Sequence, residues 1–165
     1  MLSSDGLTRT QFLPLWRDAM WHAPLAERAR LVLELGRLTV REEGRAAPLL
    51  IAVSEQRDPP LVVMPLAEVP RPAEARLRAA IQEKLARLGA SEVYVLVTSF
   101  GGQRDGVPAY LLGAWGEAAD GDAVAWFMPF RFGAEGLEEA TPMVAPDARQ
   151  TVLARELGGL LVPRH

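Results

Sequence analysis

Two arginines stand where apolar segments end: Arg104 in Gly101-Gly102-Gln103-Arg104-Asp105-Gly106, and Arg131 between Phe130 and Phe132. A guanidinium offers a rigid fork of donors that suits phosphate or carboxylate, and glycines let backbone N–H groups approach an anion. Arg104 and Arg131 are therefore candidates for binding a small anionic ligand. Against this, phosphate loops lead from a strand into a helix N-terminus, whereas the glycine stretch here leads from one strand to the next. A plain connection explains it equally well.

Glu117, Asp120 and Asp122 crowd one turn. Carboxylate oxygens so placed are weak candidates for holding Ca²⁺ or Mg²⁺, which would make the chain a metal-assisted hydrolase. The spacing lacks the 12-residue frame of an EF-hand, and Asp-Gly-Asp is ordinary turn chemistry, so this reading ranks last. Glu92, at a strand start, is a better-placed acid without an evident partner. His22 is the single internal histidine, at a helix end, and His165 is terminal. Ser54 and Ser99 end strands with no base at motif spacing. The chain has no cysteine, which removes disulfides, thiolate catalysis and Cys-ligated metals together. No residue is nominated as catalytic and no cofactor is expected.

Trp16, Met20 and Trp21 on the first helix, and Phe127 and Phe130 in a late hairpin, are candidates for an interface instead. Aromatic side chains beside Arg are enriched where proteins meet.

The elements that must position these residues follow from periodicity. Thr8 and Gln11 have capping-box spacing before Phe12, Leu15, Trp16, Ala19 and Met20, a helical stripe. Pro24 opens a second helix with Leu25, Ala29, Val32, Leu33 and Gly36 on one face and Glu27, Arg28, Arg30, Glu34 and Arg37 on an exposed face. Two strands, 48–54 and 61–66, come next, with Pro65 pointing to a sheet edge. Pro70 and Pro72 announce a helix closed by Gly89. Strands at 92–100, 109–115 and 124–132 follow, the last two joined by an Asp120-Gly121 turn. Residues 101–108 read as a loop and 133–145 as a polar, acidic connector. A last helix starts at Pro146.

The order is α-α-β-β-α-β-β-β-α in one domain, with an N-terminal helical segment (1–45) and a sheet with covering helices (46–165). Strands apolar on both faces need cover on both, which predicts an α+β fold: a three-layer α/β/α sandwich around a five-stranded, mostly antiparallel sheet. Over residues 8–158 the order resembles that of roadblock-type and profilin-like domains, which set a central helix between a two-stranded hairpin and a three-stranded meander. No motif of those families is present.

The 165 residues carry a net charge of −3, which argues against nucleic acid as partner. No apolar run reaches membrane-spanning length, and no secretory signal is read at Met1–Thr10, so the chain is expected in the cytoplasm. The leading expectation is a non-enzymatic interaction module, a homodimer pairing through an edge such as 61–66 or 124–132. A small anionic-ligand sensor is the alternative.

Overall fold

The computed structural model describes residues 1–57, 60–66 and 71–161, the side chains of 71–73 excepted. Pro70, the side chain of Pro72, and His165 lie outside the described residues. Helix α1 (Arg9–His22) opens with the expected capping box: Thr8 accepts from the Gln11 N–H, and the Gln11 side chain accepts from the Thr8 N–H. Phe12, Trp16 and Met20, one turn apart, are all buried. Helix α2 (Leu25–Glu43) ends at Gly44, whose φ of 81° turns the chain outward.

The strands are β1 (Leu49–Val53), β2 (Leu61–Pro65), β3 (Glu92–Arg104), β4 (Val107–Ala118), β5 (Ala123–Gly133), β6 (Gly136–Glu139) and β7 (Met143–Val144). They form one antiparallel, curled sheet in the order β2-β1-β3-β4-β5-β6, with β7 also pairing β5. Helix α3 (Arg71–Leu88) joins β2 to β3. A 3₁₀ turn (Ala148–Gln150) and the short α4 (Val152–Leu157) follow the sheet.

Both faces of the sheet are apolar and both are packed. Ile51, Val53, Tyr94, Leu96, Leu112, Ala114 and Met128 meet α1 and α2. On the opposite face, Leu50, Ala52, Val93 and Val95 meet Leu85 and Leu88 of α3. Trp115 and Ala125 meet Leu153 of α4. Helix α2 lies directly on the strands: a Cβ on Gly36 would stand 2.7 Å from a methyl of Leu96. Residues Ala29 to Gly36 are buried without a break, so this helix is enclosed on nearly every side.

Three expectations are corrected. The sheet has seven strands, not five, because 133–145 supplies β6 and β7. Residues 101–108 are not a loop: β3 and β4 run on to a tight hairpin turn at Asp105-Gly106, both with positive φ (55° and 75°), and a register shift absorbs Gly101 and Gly102. The final helix begins at Val152, capped by Thr151, rather than at Pro146.

Candidate functional site

Arg104 and Arg131 line one open groove of about 560 Å³ at the far end of β3, β4 and β5, over Tyr110, Leu111, Pro129 and Phe130. Arg131 is already engaged. Its Nε donates to Glu138 at 2.5 Å and its Nη1 to Asp105 at 3.3 Å. The first contact follows from register, since Arg131 and Glu138 are cross-strand partners on β5 and β6. Glu138, and then Asp105, raise the pKa of Arg131 further. An incoming anion would have to displace two carboxylates from it. Arg104 is exposed, with no ion-pair partner among the described residues. The glycine stretch sits in the β3–β4 hairpin rather than ahead of a helix N-terminus.

Glu117, Asp120 and Asp122 are not gathered around one point. Glu117 is buried, and its carboxylate accepts from Trp115 Nε1 at 3.1 Å and from the backbone N–H groups of Gly159 (2.9 Å), Leu160 (3.2 Å) and Leu161 (3.2 Å). Asp120 instead closes its own turn by accepting from the Asp122 N–H at 2.9 Å. No group of three or more His, Cys, Asp or Glu side chains that could hold a metal ion occurs among the described residues.

Glu92 does have partners. Arg28 Nη1 donates to it at 2.7 Å, and the Tyr94 hydroxyl donates to its other oxygen. Burial first, and then the Glu92 carboxylate, push the Tyr94 pKa up. Arg28 also donates to the carbonyls of Met20 (2.7 Å) and Trp21 (3.2 Å), so this trio ties the end of α1 to β3. Ser54 is buried and donates to the Leu88 carbonyl at 2.6 Å. Ser99 and His22 are exposed and stand apart.

The interface candidates divide. Trp16, Met20 and Phe130, expected at an interface, are buried in the core of the chain itself. Trp16 even spends its indole N–H on the Leu31 carbonyl at 2.9 Å. Phe127 is half-buried against the α4 cluster. Trp21 alone is largely open, at 54%. Sequence reasoning missed Phe100 (65% exposed); Phe132 (40%), among the hairpin aromatics, and Val63 (50%), in the 61–66 strand, are open as well. Phe100, Tyr110, Phe130 and Phe132 form a ladder of rings 5.9, 5.4 and 6.1 Å apart. Strand parity was the available signal: Phe100 continues the alternation of Tyr94 and Leu96 past the end of the core.

It also missed the ion cluster on α2. Arg30 and Glu34 are buried rather than on an exposed face. Glu34 accepts from the Ser4 N–H (2.9 Å) and hydroxyl (2.7 Å). Arg41 makes a bidentate contact with Glu139 of β6 (3.0 and 2.8 Å) and reaches Asp5 at 2.8 Å. Arg37 joins Glu34, Glu139 and Asp5.

These observations define an α+β domain with a helix enclosed by a curled antiparallel sheet. No helix among the described residues is long and apolar enough to cross a membrane. Comparison with protein-family models, with curated proteins and with solved structures gives no match.

Proposed function

We propose that this chain is a non-enzymatic interaction module, layered as an α/β/α sandwich, that works in the cytoplasm as a homodimer. The observation that carries the reading is the end of the sheet at β2, an uncharged apolar strand with Val63 half-exposed and, among the described residues, no strand on its outer side. An unpaired strand edge is a template for a further strand. The other edge named from sequence, 124–132, is not available, since β5 is paired on both sides. The side chains first nominated for chemistry are otherwise employed: Glu117 by the tail, Glu92 by Arg28 and Tyr94, and Arg131 by Glu138 and Asp105. Light scattering behind size exclusion tests the reading. The expected mass is twice the 18.0 kDa of the chain, and a monomer at several hundred micromolar would overturn it.

The anionic-ligand reading keeps one favourable observation, the shared groove of Arg104 and Arg131. Thermal shift with phosphate, nucleotides and dicarboxylates tests it. No shift in the wild type, or an equal shift in Arg104→Ala and Arg131→Ala, removes it.

A further inference from the structure

The geometry points to one mode of self-association: two copies join through β2, antiparallel, with Val63 on the two-fold axis, so that their sheets become one. This rests on the homodimer reading above and names its surface and register.

The derivation starts from which backbone groups are free. β1 and β2 pair as Leu50↔Met64 and Ala52↔Val62, flanked by bonds from the Ser54 N–H to the Pro60 carbonyl (2.8 Å) and from the Leu66 N–H to the Pro48 carbonyl (3.0 Å). In an antiparallel pair, hydrogen-bonded and non-hydrogen-bonded positions alternate. Residues 60, 62, 64 and 66 therefore turn their polar groups toward β1. Leu61, Val63 and Pro65 turn theirs to the outer side, where no strand pairs among the described residues. β1 shows the complementary parity, with the Val53 carbonyl facing away from β2 and accepting from the Ser91 N–H at 2.8 Å.

That edge suits its own copy. With Val63 opposite the partner's Val63, the two valines exchange a pair of hydrogen bonds. Each Leu61 N–H then meets the partner's Pro65 carbonyl. Pro65, which has no N–H, falls at the end of the ladder and interrupts nothing inside it. Charge agrees: Leu61 to Leu66 contains no ionisable residue, so the axis sets no like charges face to face. Of the devices that keep natural edges single, Lys and inward charge are absent from Leu61–Leu66, and the one proline, Pro65, stands at the end of the ladder. Isologous pairing also closes on itself, giving a dimer rather than a fibre.

Because the chain has no cysteine, single cysteines read the register directly. In a hydrogen-bonded antiparallel pair the Cα atoms lie about 5.5 Å apart, inside the range a disulfide spans. Mild oxidation of Val63→Cys should therefore give a covalent dimer in most of the protein. Leu61→Cys should give almost none, since its sulfurs would start roughly 14 Å apart at about 3.4 Å per residue. In parallel, Val63→Lys, a change on a half-exposed side chain, should raise the dimer dissociation constant at least ~tenfold by placing two ammonium groups at the axis, with unchanged circular dichroism. Hydrogen exchange on the wild type should show the Leu61 and Val63 amides slowing with protein concentration. A wild-type dimer whose Leu61 and Val63 amides exchange freely, and which Val63→Lys leaves intact, overturns this inference while the homodimer stands. Cross-linking of Leu61→Cys as strong as that of Val63→Cys overturns the register. A wild type that is monomeric overturns both readings.

Discussion

Replacing Glu117 with alanine should release the chain after α4. The carboxylate is buried and collects four donors, three of them consecutive backbone N–H groups at Gly159, Leu160 and Leu161. From the other side, Gln82 donates to the Gly159 carbonyl at 3.2 Å, and Arg78 donates to the carbonyls of Glu156 and Gly158. Each buried donor left without an acceptor costs about 1–3 kcal/mol. Part of the segment can rehydrate, so the expected loss is about 3–5 kcal/mol, in line with removing one partner from a buried charged contact. For a chain of this length each kcal/mol lowers the midpoint by about 2–4 °C, giving a drop of roughly 6–20 °C. Glu117→Gln should cost less, about 1–2 kcal/mol, because Oε1 alone serves Trp115, Gly159 and Leu160, leaving only the Leu161 N–H facing an amide nitrogen. Thermal unfolding followed by circular dichroism measures both. Limited proteolysis reports whether residues 158–161 come free. A loss below about 1 kcal/mol for the alanine variant, with that segment still protected, would refute the assignment of Glu117 as its anchor.

Two further outcomes follow from the packing and the charges. Gly116→Ala should destabilise by about 1–3 kcal/mol in chemical denaturation, since its Cβ would lie 2.7 Å from the Tyr94 ring. That ring cannot swing aside while its hydroxyl is held by Glu92. Asp5 has its pKa lowered, chiefly by the hydrogen bond from Arg41. A depressed carboxyl contributes stability above its unfolded value of 3.8 and loses it as pH falls through the folded value. The wild type should thus melt slightly above Asp5→Asn near neutral pH, and the difference should close below about pH 3.8.

What could be read from sequence was local. The Thr8–Gln11 capping box, the Gly89 stop and the Asp120-Gly121 turn each depend on residues within a few positions, and each is present. The strand count was hidden because β6 exists only as a partner. Gly136-Leu137-Glu138-Glu139 has little strand character of its own, and pairs along Phe130–Gly133 on the side of β5 that faces away from β4. The burial of Arg30 and Glu34 was hidden for a similar reason. Their spacing puts them on the polar side of α2, and it takes the N-terminal segment, with Ser4 and the Leu2 carbonyl, to cover that side. Trp16 and Met20 were ambiguous in kind, since an aromatic stripe looks the same whether a core or a partner covers it.

The placement of Glu138 and Glu139 shows how a four-residue edge strand keeps its register. Adjacent residues on a strand point to opposite faces. Glu138 reaches Arg131 on one face, and Glu139 reaches Arg37 and Arg41 of the enclosed helix on the other. A slip of one residue would turn Glu139 away from α2 and Glu138 away from Arg131, losing both contacts at once. It would also turn Leu137, which packs on the α2 core, out to the other face. Ion pairs are poor sources of net stability when exposed, and costly to bury. Two of them aimed in opposite directions from neighbouring residues discriminate between registers far more sharply than their summed energy suggests. On this account the acidic pair, which reads in sequence as part of a solvated connector, fixes where β6 lies and so builds one wall of the groove that holds Arg131.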